Sequence, residues 1–159
     1  MRKTGLVAGI IMGLFVVLQF IPVAPLNNGN KNAYSFISHF APEKSTHRLL
    51  KASCFDCHSN KTEYPWYANL QPVKYFMFDH IKEGKEKLNF DELASYRKRK
   101  KLAKFKSIIQ VLEDGSMPLP SYTLIHGSLS KNEQNNLISY FNDLVTKEEE
   151  LDATVANGK

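Results

Sequence analysis

Cysteine is nearly absent from this chain. Its 159 residues hold two, Cys54 and Cys57, and both fall within four positions in the run "CFDCH", which ends on His58. That scarcity argues against a disulfide-stapled scaffold, because a bridge across two intervening residues closes a very small loop and removes little chain entropy. A structural zinc site takes four ligands, whereas this cluster offers at most three, with Cys57 and His58 adjacent and awkward to place on one small ion. Strand-like alternation of useful length is also missing, so a redox C-x-x-C lacks its βαβ setting. No internal repeat and no catalytic constellation accompany the motif. Hydrophobic residues at 43% and charged residues at 23% lie near the globular average, which excludes a chain that is disordered throughout, collagen-like or mucin-like. The length supports one domain.

The N-terminus carries the one long uncharged run. After Arg2 and Lys3 come twenty residues, Gly5 to Ala24, without a charge, about the length of a helix that crosses a bilayer. Pro22 and Pro25 flank the only small-residue cleavage site, at Ala24, which favours an uncleaved anchor over a removed signal. The positive-inside rule then places all that follows on the exported, periplasmic side of the cytoplasmic membrane. The expected organisation is a signal-anchor or transmembrane segment at 1–25, a linker and lead-in at 26–44 that includes the polar stretch "PLNNGNKN", a functional domain at 45–147 and a disordered acidic tail at 148–159.

What the cysteine spacing does fit is covalent attachment of one haem. Two thiols three positions apart on a helical turn can add to the two vinyl groups of a porphyrin, and the next residue can turn its imidazole under the iron. Cys54 and Cys57 are the expected thioether residues and His58 the proximal ligand. Its second ring nitrogen needs an acceptor, expected from a backbone carbonyl of the nearby "EYPWY". Helices are expected around the motif: one from the N-cap candidate Ser45 through the cysteines, and one from Pro72 with Val73, Phe76, Met77, His80 and Ile81 on one face, ending near Gly84. A third is expected to be capped by Asn89, with Leu88 and Leu93 as a staple, and to continue through Leu102, Phe105, Ile108, Ile109 and Leu112 to Gly115. A last one opens on the capping box Ser130 to Glu133 and carries Leu137, Ile138, Phe141, Leu144 and Val145.

The runs "KASCFDCHSNKTEYPWYANLQPV", "GKEKLNFDE" and "VLEDGSMPLPSYTLIHGSLSKNEQNNLISYF", in that order over residues 51–144, resemble the bacterial haem-binding domain family of small, membrane-anchored mono-haem c-type cytochromes. The resemblance implies an all-α, cytochrome c-like fold around one covalent haem c, preceded by the transmembrane helix and facing the periplasm. It also implies Met117 as distal iron ligand. From the residues themselves, Met117 lies in a loop stiffened by Pro118 and Pro120, where a thioether can be held ready. The competing reading is a methionine that merely packs. Met77 and His80 sit at core spacing on their helix, His126 could replace Met117 in an alternative state, and His39 and His47 read as surface groups or as residues that support the ligands from behind. Trp66, Tyr67 and Tyr122, with Tyr64, are candidates to pack on the porphyrin edge or bond a propionate, or to fill core.

The expected work is outer-sphere electron transfer by a protein that is not an enzyme, with redox proteins as partners and neither nucleic acid nor a small-molecule substrate. The alternative is a haem sensor of gas or redox state, or a weak peroxidase, with a labile distal ligand. The net charge of +5 concentrates in "RKRKKLAKFK", seven basic residues out of ten at 97–106, while four of the sixteen acidic residues follow Lys147. That run reads as a solvated helix face, or as a docking site for an acidic redox partner or anionic lipid.

Overall fold

The computed structural model describes residues 2–23 and 35–157, and among them every regular element is helical. The all-α expectation holds; the membrane-spanning one does not. Helix α1 covers Arg2–Leu18, and 17 residues at about 1.5 Å each span roughly 26 Å, short of the ~30 Å hydrocarbon layer. Among the described residues no helix is long and apolar enough to cross a membrane, which removes both the single-pass anchor and the ground for placing the domain at the periplasmic face of the cytoplasmic membrane. The physical reason lies in Gln19. Its amide donates back to the Phe15 carbonyl at 3.0 Å and across to the Gln71 carbonyl at 3.3 Å, and its Oε1 accepts from the Gln71 backbone N–H at 3.0 Å. Gln71 in turn donates its side-chain amide to the Ile21 carbonyl at 3.1 Å. The apolar run is thus broken by a polar residue that ties the chain to the domain. The stretch "PLNNGNKN" and the cleavage site at Ala24 lie outside the described residues.

The core begins earlier than expected. Helix α2, Ser35–Phe40, falls inside the segment read as linker and lead-in, yet its Phe36 is fully buried. The Phe36 ring meets Phe90 edge-on at 5.0 Å, Phe40 at 4.7 Å and Phe141 at 6.3 Å. Around this aromatic cluster pack Leu50 and Phe55 of the motif region, Phe105, Ile108 and Leu112 of α7 (Lys98–Glu113), and Leu137, Phe141 and Leu144 of the last helix.

Helix α3, Lys44–Leu50, starts without a side-chain cap from Ser45 and runs on through a π-helical segment, Lys51–Phe55, into the short α4, Asp56–His58. Helix α5, Val73–Lys87, continues beyond the expected end at Gly84. Asn89 caps α6, Phe90–Leu93, as expected, its side-chain oxygen accepting from Asp91 N–H at 3.1 Å. The expected single helix through to Gly115 is broken after Leu93. Arg97 adopts an extended backbone, and α7 then starts afresh at Lys98 and ends where Gly115 takes φ +70°, the left-handed stop that glycine allows. Helix α8, Pro120–His126, was not anticipated; it opens with Pro120 in its first turn, where a missing N–H costs nothing. The last helix, α9, Lys131–Asn157, opens on the expected box, with Ser130 Oγ donating to Glu133 Oε2 at 2.7 Å and accepting from Glu133 N–H at 3.3 Å.

Where a disordered acidic tail was expected, α9 continues and its carboxylates face the basic run. Lys101 Nζ lies 2.6 Å from Glu148 Oε1 with both side chains nearly buried, and Lys106 pairs with Glu149 at 3.0 Å. Lys104 donates to the Lys87 carbonyl, and the Lys100 ammonium sits 3.4 Å from the centre of the Tyr96 ring. Much of the basic run is therefore engaged within the domain. Because Phe36 has no solvent-facing surface to give up, Phe36→Ala is expected to lower unfolding free energy by about 3–5 kcal/mol, read as a fall in chemical-denaturation midpoint; a change below ~1 kcal/mol would mean that α2 does not belong to the core.

Candidate functional site

Between α5 and α8 lies a cavity of about 390 Å³. Val73, Phe76, Met77, His80 and Ile81 of α5 form one wall, Leu119, Ser121, Tyr122, Ile125 and His126 the other, and Asp56, Cys57, Thr62, Glu63, Pro65 and Tyr67 join them. The α5 residues repeat at i, i+3, i+4, i+7 and i+8, so the stripe read as a core face is the face that borders the cavity.

The motif helix divides this cavity from the aromatic core. A π turn holds one more residue than an α turn and changes which side chains follow one another on a face. Here Phe55 is sunk in the core and Cys54 packs partly against it, while Cys57 borders the cavity. Both thiols are free and half-buried. Burial, reinforced by the neighbouring Cys57, pushes the Cys54 thiol up to about 12, and burial together with Asp56 pushes Cys57 up to about 11 despite the opposing charge of Lys85.

His58 is held from a direction the sequence did not indicate. Its Nδ1 lies 2.9 Å from the Gly84 carbonyl oxygen and 3.0 Å from that of Leu88, so the acceptors come from the end of α5 and not from "EYPWY". A carbonyl only accepts, so Nδ1 carries the proton and Nε2 is left with a bare lone pair. Burial holds the imidazole below its ordinary pKa against the upward pull of the two carbonyls, and the neutral ring is the form that binds metal. The approach is close: a Cβ on Gly84 would stand 2.8 Å from the Cys57 carbonyl oxygen and 3.4 Å from His58 Cε1. The chain leaving His58 is pinned as well. Thr62 Oγ1 donates to the Asp56 carbonyl at 2.7 Å, Asn60 N–H to Asp91 Oδ2 at 2.6 Å, and Asn89 Nδ2 to Asn60 Oδ1 at 2.8 Å.

The remaining candidates divide. Tyr67 and Tyr122 lie on the cavity wall, as do Met77, His80 and His126. Trp66 is 76% exposed and is not among the lining residues, its ring meeting Tyr67 edge-on at 5.9 Å. Met117 is half-buried beside the end of α7, its N–H donating to the Val111 carbonyl at 3.2 Å, and Leu119 is the residue of its loop that reaches the wall. Tyr64 stacks on Phe78 at 5.0 Å, a packing role. Sequence reasoning missed Gly84, Asn60 and Asp91; for Gly84 the one available signal was a glycine inside a helical stripe.

The donor set fits a covalently held haem on the His58 side: two reduced thiols at the attachment spacing, a neutral imidazole with Nε2 bare, and a glycine cradle that a side chain would fill. Gly84→Ala is expected to displace His58 and cost about 1–3 kcal/mol by overpacking, with a lower yield of haem-loaded protein read from its absorbance per polypeptide. Unchanged loading and stability would disprove the cradle. In the haem-free protein, alkylation of the thiols is expected to stay slow at neutral pH and to rise only towards pH about 11 for Cys57 and about 12 for Cys54. The unfolded chain should react around the ordinary thiol pKa of about 8.5, and coincident profiles for the two states would refute the burial argument.

No curated protein and no solved structure matches the chain. A family model described as a haem-binding domain matches residues 13–143, a span that holds the motif, both cavity walls and most of the aromatic core. The cavity, the paired thiols and the backbone-held imidazole accord with that match, and the chain belongs to the haem-binding domain family.

Proposed function

We propose that the haem is attached covalently through thioethers at Cys54 and Cys57, that His58 is its proximal ligand and Met117 its distal one, and that the protein transfers electrons without transforming a substrate. The observation that carries this reading is the His58 ring: Nδ1–H is spent on the carbonyls of Gly84 and Leu88 at the end of α5, which leaves a bare lone pair at Nε2 on the residue that follows Cys57, the one motif thiol that borders the mostly apolar cavity; His58 and Cys54 are not among its lining residues. When bound, the haem supplies one-electron chemistry at iron, with a thioether ligand favouring the ferrous state. The chain's part is to hold the imidazole neutral and oriented, to exclude water with the α5 wall, and to keep a soft sulfur within a proline-stiffened loop. Its partners are then redox proteins, recognised beside the exposed apolar lining residues Phe76 and Ile125.

Two measurements test this. Intact-mass spectrometry of protein matured with haem-ligation machinery is expected to give the polypeptide plus one porphyrin, lost in Cys54→Ser with Cys57→Ser; a polypeptide without the added mass sinks covalent attachment. Met117→Ala is expected to lower the reduction potential by on the order of 0.1–0.3 V, within the ~0.8 V range that axial ligands command. An unchanged potential and an unchanged near-infrared band of the ferric protein would remove Met117 from the ligand set. The second reading, a gas or redox sensor or weak peroxidase, is favoured by one observation, that His126 borders the cavity while Met117 does not; rapid carbon monoxide binding by the ferrous protein would support it.

A further inference from the structure

Helix α8 is half of the cavity, yet among the described residues no helix packs broadly on it. One of its side chains ties it to the motif region by hydrogen bonds. The Tyr122 hydroxyl lies 2.7 Å from the Ala52 carbonyl oxygen and 3.1 Å from Asp56 Oδ2, sharing one proton between two acceptors that stand on either side of Cys54. The same ring stacks on His126 at 4.3 Å and 13°, and His126 Nε2 is 3.2 Å from the Tyr67 hydroxyl. Tyr122 and His126 thus fasten α8 at two points, one on the motif helix and one on Tyr67 in the 3-10 turn Trp66–Asn69. Upstream, Pro118 and Leu119 connect α8 directly to Met117, whose own N–H is fixed on the end of α7. The one proton of this phenol is thus engaged within the domain.

We propose that Tyr122 is a positioning residue: its hydroxyl, bridging the Ala52 carbonyl and the Asp56 carboxylate, locks α8 and the attached Met117 loop onto the motif helix and thereby sets how readily an outside ligand reaches the iron. This rests on the proposed haem attachment and on Met117 as distal ligand. Opening the site requires the phenol to leave a charged acceptor, and hydrogen bonds to charged groups are among the stronger ones in proteins. The stack on His126 survives loss of the hydroxyl, so a phenylalanine at this position removes the lock while leaving the wall filled.

The test uses the full-length, haem-loaded protein and Tyr122→Phe. Expected are a weaker near-infrared methionine band in the ferric protein, carbon monoxide association with the ferrous protein faster by about tenfold or more, and faster amide hydrogen exchange at residues 119–126 with α7 and α9 unchanged. Asp56→Asn, which keeps the phenol but removes the charged acceptor, is expected to move the same readouts in the same direction by less, and it carries the test if Tyr122→Phe does not accumulate. Unchanged exchange in α8 and unchanged carbon monoxide kinetics would overturn the proposal. A wild-type protein without the methionine band, taking up carbon monoxide as fast as Met117→Ala, would defeat the ligand assignment instead; the exchange comparison in α8 would then still decide the lock, acceleration supporting it and identity refuting it.

Discussion

The site depends on the close approach of one helix backbone to one ring. The end of α5 offers the Gly84 and Leu88 carbonyl oxygens to His58 Nδ1, and that choice settles the tautomer: the opposite one would turn a lone pair towards two carbonyl oxygens and forfeit both hydrogen bonds. The approach is open only because position 84 has no side chain. Burial then keeps the imidazole uncharged. Orientation, tautomer and charge state all follow from a helix passing within contact distance of the motif, and the buried network from Asn60 through Asn89 and Asp91 holds the chain after His58 in the place where that contact can form.

Much of this architecture was legible from sequence because it is local. Helix periods, the Ser130–Glu133 box and the left-handed stop at Gly115 each involve residues a few positions apart, and haem binding was legible because two thiols and an imidazole at this short spacing form a local motif. What failed to show was non-local. The acceptors of His58 are carbonyls 26 and 30 residues away, and a carbonyl is the same group whatever side chain it belongs to. The uncharged N-terminal run looked long enough to cross a bilayer until Gln19 met Gln71, 52 positions on. Phe36 reads as one apolar residue after a polar stretch, and only its four aromatic neighbours make it core. Helix α8 was hidden because Pro118 and Pro120 suggested an irregular loop, although a proline in the first turn is a favourable helix start.

The domain has two unlike halves with the motif helix between them. On one side the phenylalanine cluster contributes stability, and with it comes the α7 and α9 pair, whose Lys101 and Glu148 neutralise each other in near-burial. On the other side the cavity is walled by α5 and α8. None of the cavity's lining residues comes from α7 or α9, so the basic run does not border the cavity. Its lysines serve packing and pairing before they serve a partner, and screening by salt would act on a face separate from the cavity mouth.

The two walls are also held differently, and this asymmetry bears on function. The α5 wall is fixed to His58 by backbone groups that cannot turn away unless the helix itself moves, so the His58 side is rigid by construction. The α8 wall is fastened by side chains: a phenol shared between Ala52 and Asp56, and an imidazole set against Tyr67. Side-chain bonds break by rotation about χ angles, at far smaller cost than shifting a packed helix. With the ligation proposed above, this construction would keep the His58 side constant while the surroundings of the other ligand vary, and variation on that side alone moves a haem domain between carrying electrons and binding small molecules.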